Sequence, residues 1–148
     1  LLALPLAKQA KSVTLVDISE KMLEQARLKA NQQDIKNIQF LEQDLLKNPL
    51  EKEFDLIVVC RVLHHMPNVE KTLAMFRNHL VEDGQLFIAD FVKTDVNHHG
   101  FHLADLEGKL SQSGFSSVKS QIIYSAEELF LENYAELFLT LAQNHSFA

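Results

Sequence analysis

Glycine is scarce in this chain: the four copies are Gly84, Gly100, Gly108 and Gly114, so the first 83 residues contain none. That absence excludes a glycine-rich ligand loop from the first half of the sequence. There is one cysteine, Cys60, which rules out an intrachain disulfide and points to a reducing compartment, with the cytoplasm as the expected location. No run approaches the roughly 18 apolar residues that a membrane-spanning helix needs. Basic residues are outnumbered 14 to 20 by acidic ones, for a net charge of −6. Such a balance disfavours broad phosphate-binding surfaces and hence nucleic acid as a general partner. A starting methionine is also lacking, so the chain is expected to begin inside a longer gene product. Leu1–Ala7 has the apolarity of a signal-peptide core but no basic leader, and Lys8 and Lys11 follow at once. It reads better as the tail of a helix.

What is present is a chain of 148 residues, 47% hydrophobic, long enough to bury one core, and residues 1–148 read as one domain. The most informative stretch runs from Val13 to Leu23. Val13, Leu15 and Val16 lack a polar face, as expected of a strand covered on both sides. Ser19 sits where an N-cap belongs, with Glu20 in the first helical turn. Asp17 therefore stands at the carboxyl end of a parallel strand, where open α/β sheets bind ligands. A carboxylate there can accept hydrogen bonds from both hydroxyls of a ribose, or it can simply help to start the helix.

Strand and helix patterns then alternate. A helix is predicted from Ser19 to Asn31, with Met22, Ala26 and Ala30 on its apolar side. Ile38–Leu41 is a short strand followed by Asp44, and Phe54–Cys60, the most apolar strand, is expected at the centre of the sheet. Asn68 can cap a helix carrying Val69, Leu73, Phe76 and Leu80 as a stripe, closed by Asp83-Gly84. A strand from Gln85 to Val92 follows, then a histidine-bearing loop, a helix with Leu103, Leu106 and Leu110, and Gly114 at its C′ position. Val118–Tyr124 and Tyr134–Ala142 read as a closing antiparallel pair, with room for only a short helix over Ala126–Leu131 between them. The alternation predicts an open α/β sandwich.

Three ligand-facing strand ends now stand in order: Asp17-Ile18, Asp44-Leu45 and Cys60-Arg61 followed by Val62-Leu63-His64-His65-Met66. With Leu80–Asp90, Phe101–Phe115 and Leu137–Leu141, these segments resemble the class I S-adenosylmethionine-dependent methyltransferases of the small-molecule type, over nearly the whole chain. The resemblance implies a Rossmann-like α/β sandwich, its sheet mostly parallel with an antiparallel C-terminal strand, and S-adenosyl-L-methionine as cofactor. It places Asp17 on the ribose diol, Ile18 against the adenine, Asp44 on the adenine exocyclic amine and Leu45 at a neighbouring backbone contact. Cys60 and Arg61 would border the methionine part. The family's first strand and its glycine-rich loop should lie just before Leu1. Without them, the strands ending at Asp17 and Cys60 would each keep an unpaired edge.

Methyl transfer from a sulfonium is an in-line displacement, so positioning and water exclusion dominate. A base is required only where the acceptor must lose a proton. Of His64, His65, His98, His99 and His102, His65 is the first candidate to face the pocket; the alternative is that His-His-Met-Pro merely shapes a turn. No metal is expected: His98 and His102 are separated by Gly100, and no carboxylate completes a ligand set. The implied partner is a small-molecule methyl acceptor bound partly by the Val92–Leu103 loop, with no nucleic acid and no membrane. Competing readings are a nicotinamide-dependent Rossmann oxidoreductase, which also uses an Asp at a strand end, and a non-catalytic methyltransferase-like remnant.

Overall fold

The structure, a computed structural model, describes residues 3–93, 100–130 and 133–145. They form two compact units, Leu1–Pro49 and Leu50–Ala148.

The first unit contains α1 (Ala3–Ala7), β1 (Val13–Asp17), α2 (Glu20–Gln32) and β2 (Ile38–Glu42). β1 and β2 are parallel, with Val13 opposite Ile38 and Asp17 opposite Glu42. Ser19 caps α2 as expected, its side chain accepting from the Met22 N–H at 3.3 Å. The buried stripe of α2 is Leu23, Ala26 and Ala30; Met22 is 53% exposed and does not belong to it. Spacing by four allowed either assignment for the first turn, because Leu23 also lies three residues before Ala26. Leu4 and Ala7 of α1 are buried too. The end of that helix is tied down by the Asn37 amide, which donates to the carbonyls of Ala7 (2.7 Å) and Ala10 (2.9 Å).

The second unit contains β3 (Phe54–Cys60), a 3₁₀ turn (Leu63–His65), α3 (Val69–Asn78), β4 (Leu80–Phe91), α4 (Leu103–Gln112), β5 (Ser116–Phe130) and β6 (Asn133–Gln143). Its sheet runs β3-β4-β6-β5. β3 and β4 are parallel, while β4–β6 and β5–β6 are antiparallel, which is the predicted closing hairpin. Leu63, Leu73, Leu86, Ile88, Leu106, Leu110 and Phe138 are fully buried at its core. The Asn68 side chain accepts from the Lys71 N–H at 3.0 Å, so the cap of α3 sits where the sequence placed it.

Three expectations change. β3, expected at the centre of the sheet, is hydrogen-bonded to β4 alone among the described residues, with Leu56 40% exposed; this matches the unpaired edge expected for the strand ending at Cys60. Its apolarity recorded a covered strand without saying what lies beside it. β1 likewise pairs only with β2 among the described residues. Second, α3 stops at Asn78 and β4 already begins at Leu80, which pairs with Phe54. Leu56 then pairs with Gln85, so Val81–Gly84 bow out of the ladder, with Asp83 at φ 66°. Third, the stretch from Ala126 to Phe130 continues β5 instead of forming a helix; Leu131 lies outside the described residues. Pairing with β6 supplies backbone partners that an isolated helix of five residues lacks.

Gly114 ends α4 at φ 97°, a left-handed conformation natural to glycine. A Cβ there would stand 2.6 Å from Arg77 Cζ, and Arg77 is held by its Nε donating to Asn144 Oδ1 at 3.2 Å. Gly114→Ala combines backbone strain with displacement of that guanidinium and is expected to lower stability by roughly 1–3 kcal/mol. Denaturant unfolding checks this; an unchanged midpoint would refute the account of the α4 terminus.

Candidate functional site

Parallel pairing in the first unit brings the carboxyl ends of β1 and β2 to one rim. The Gln43 N–H donates to the Asp17 carbonyl at 3.0 Å, extending the ladder one step past Glu42. Asp17 and Asp44 therefore emerge on the same side of this sheet. Each carboxylate also has a local partner. Asp17 Oδ1 accepts from the Ser19 N–H at 3.0 Å, and Asp44 Oδ1 accepts from the Leu46 N–H at 3.0 Å. In both, the second carboxylate oxygen has no hydrogen-bond partner among the described residues.

An open depression of about 430 Å³ lies at this rim, lined by Ile18, Glu42, Gln43, Asp44 and Asn48. Ile18 is 74% exposed, an apolar side chain presented to solvent at the mouth of a polar recess. Gln43 is oriented by its Nε2, which donates to the Asn48 carbonyl. Among the described residues no cationic side chain lines the depression, whereas two carboxylates do. Asp17 borders it in sequence, next to Ile18, without lining it, and Leu45 forms the turn behind Asp44. Glu42 was missed as a lining residue; its signal in the sequence was its place two residues before Asp44 on the last position of the strand.

The donor set suits a nucleoside. Ribose hydroxyls and an exocyclic amine bring N–H and O–H donors, which need acceptors, and the unengaged carboxylate oxygens supply them. A planar base can rest on an exposed aliphatic side chain such as Ile18. A pyrophosphate would meet carboxylates with no compensating cation among the lining residues.

In the second unit, Cys60 ends β3 and is exposed, not the small buried hydrophobe that a lone cysteine often is, because β3 lies at the sheet edge. Arg61 follows with φ 54°, and its N–H donates to the Ala89 carbonyl at 2.7 Å. A non-glycine residue in that conformation redirects the chain sharply from the strand into the 3₁₀ turn. His65 is exposed at the end of this turn. His64, by contrast, has a side chain only 5% exposed, with Nδ1 2.7 Å from Oδ1 of the fully buried Asp90. Sequence reasoning missed Asp90; the available signal was a carboxylate at the end of the apolar run Leu86–Ala89 with no visible partner. His98 and His99 lie outside the described residues. Among the described residues, Glu82, Asp83 and His145 form the one cluster spaced for a metal ion.

A family model described as "Methyltransferase domain" matches residues 1–137. The chain is 27% identical over 150 residues to the Prosolanapyrone synthase of Alternaria solani, covering 90% of this chain and 6% of that protein. It is 27% identical over 94 residues to the Ubiquinone biosynthesis O-methyltransferase of Rickettsia akari (strain Hartford), covering 64% of this chain and 37% of the relative. Thus it spans well under half the length of either curated relative. The N-methyltransferase NodS from Bradyrhizobium japonicum WM9, solved in complex with S-adenosyl-L-homocysteine, superposes with a TM-score of 0.76 at 16% identity, over 97% of this chain and 71% of that one. That likeness shows the fold.

Proposed function

This chain belongs to the methyltransferase-domain family, with the Rossmann-like fold of the class I S-adenosylmethionine-dependent enzymes, and we propose that it transfers a methyl group from S-adenosyl-L-methionine to a small-molecule acceptor. The observation that carries the proposal is the acid-lined depression at the β1–β2 rim, with its exposed Ile18 and no lining cation among the described residues. When bound, the cofactor supplies an electrophilic methyl group on a sulfonium sulfur.

Within this reading, Asp17 accepts hydrogen bonds from the ribose hydroxyls through its unengaged oxygen, and Asp44 does the same for the adenine amine. Ile18 covers one face of the base and Leu45 presents backbone beside it. Cys60 and Arg61 border the methionine end, a role that rests on their place in the family pattern. The lining chemistry disfavours a nicotinamide dinucleotide, whose pyrophosphate would face Glu42 and Asp44. A net charge of −6 favours a small acceptor over nucleic acid. Among the described residues no helix is long and apolar enough to cross a membrane; with a single, exposed cysteine, a cytoplasmic setting fits best.

The test titrates the full protein with S-adenosyl-L-homocysteine by calorimetry and then screens a metabolite panel with methyl-labelled donor. Saturable binding and label transfer to at least one metabolite are expected. Absence of binding would sink the reading, and binding without transfer to any metabolite would favour the non-catalytic remnant.

A further inference from the structure

The second unit holds a buried acid–base pair that donor binding leaves unused. β3 and β4 are parallel with Cys60 opposite Ala89, so the residues just beyond, His64 in the 3₁₀ turn and Asp90 on β4, come together at the carboxyl rim of this sheet. They are 26 residues apart in sequence. Asp90 is fully buried and accepts the Phe91 N–H on Oδ1 (2.8 Å) and the His64 N–H on Oδ2 (3.1 Å). The carboxylate thus pins the turn's backbone.

His64 Nδ1 lies 2.7 Å from Asp90 Oδ1, a close contact whose geometry falls short of an aligned hydrogen bond. A bare nitrogen lone pair facing a carboxylate oxygen at this distance would be repulsive, which places the ring proton on Nδ1. Nε2 then carries a lone pair, and it has no partner among the described residues. The ring is flanked by His65, tilted at 42° with centroids 3.9 Å apart, and by Phe91 in an edge-type contact at 5.7 Å. Among the described residues, Asp90 and His65 are the titratable groups in contact with it.

Resting on the methyl-transfer reading above, we propose that His64, positioned by Asp90, takes a proton from the methyl acceptor, so the acceptor is a weak acid, a hydroxyl or an activated C–H. The acceptor's X–H bond breaks, the proton goes to His64 Nε2, and the electron pair stays on X to form the bond to the incoming methyl carbon. Asp90 remains ionised against the imidazolium, which later releases its proton to water. A neutral amine attacks with its own lone pair and needs no such group before transfer. His65 is exposed and has no carboxylate partner among the described residues to fix its tautomer.

The experiment uses the full protein in two arms. In the first, nitrogen-15 NMR of the histidine rings is expected to show His64 protonated on Nδ1 at neutral pH; a ring protonated on Nε2 alone overturns the proposal. In the second, labelled transfer is measured to catechol, to acetoacetyl-N-acetylcysteamine and to benzylamine, with S-adenosyl-L-homocysteine affinity measured in parallel. His64→Gln is expected to keep that affinity within about twofold while turnover of the hydroxyl or carbon acid falls at least about 100-fold and its rise with pH disappears. His64→Asn serves as the second variant should His64→Gln melt early. Asp90→Asn is expected to shift the pH profile and shrink turnover by at least about tenfold, without changing which acceptor is used. Retained turnover and pH profile in both His64 variants, transfer to benzylamine alone, or binding with transfer to none of the three would overturn the proposal. A wild type that binds no S-adenosyl-L-homocysteine removes the methyl-transfer reading itself, a distinct failure from loss of turnover with binding intact.

Discussion

Phe138→Ala is expected to lower stability by about 3–5 kcal/mol, the range for emptying a fully buried aromatic position. Phe138 lies on β6, which is hydrogen-bonded on both sides, opposite Asp90 on β4 and Ile122 on β5. Its ring is fully buried and meets Phe101 edge-on at 6.3 Å between centroids. Removing it leaves a cavity between two antiparallel pairs whose backbones are locked in register, so collapse around the void is limited. Against a typical total of roughly 5–15 kcal/mol, this is a large fraction. For a chain of this size the thermal midpoint drops by roughly 10 °C. Equilibrium unfolding in urea measures it directly. A loss below about 1 kcal/mol would mean that the core lies elsewhere than this sheet.

Asp17→Ala is expected to weaken S-adenosyl-L-homocysteine binding at least tenfold, because hydrogen bonds to an ionised group contribute roughly 1.5–3 kcal/mol. The same carboxylate accepts the Ser19 N–H, so the alanine variant also loses a contact at the start of α2. Asp17→Asn separates the two effects. Its amide oxygen can still accept from Ser19, while the second position turns from acceptor to donor and faces the ribose hydroxyls poorly. Calorimetry on both variants should therefore show weakened binding in each, with the thermal midpoint nearly unchanged in Asp17→Asn. Unchanged affinity in the asparagine variant would remove Asp17 from the nucleoside site.

Several parts of the fold and of the candidate site are legible in the sequence. The Ser19 cap, the bounds of Phe54–Cys60, the Asn68 cap and the C′ glycine of α4 all depend on neighbours within a few residues, and each stands where the sequence put it. Asp17 and Asp44 share a rim because two parallel strands with a helical crossover must point their carboxyl ends the same way. Errors arose where local signals were degenerate. Met22 and Leu23 both satisfied a helical stripe, and the stretch after Leu80 carried turn residues that the fold uses as a bowed segment of β4.

Sequence alone thus determined the order of elements, the closing antiparallel pair and which acidic residues terminate strands, since these follow from periodicity, caps and turn chemistry acting over short spans. Tertiary structure alone decided that Leu80 already pairs with Phe54, that Cys60 is exposed, and that His64 rather than His65 meets a buried carboxylate. The physical reason is common to all three. Hydrophobic pattern records how much of an element is covered, whereas strand neighbours and buried ion contacts depend on which distant segment supplies the cover.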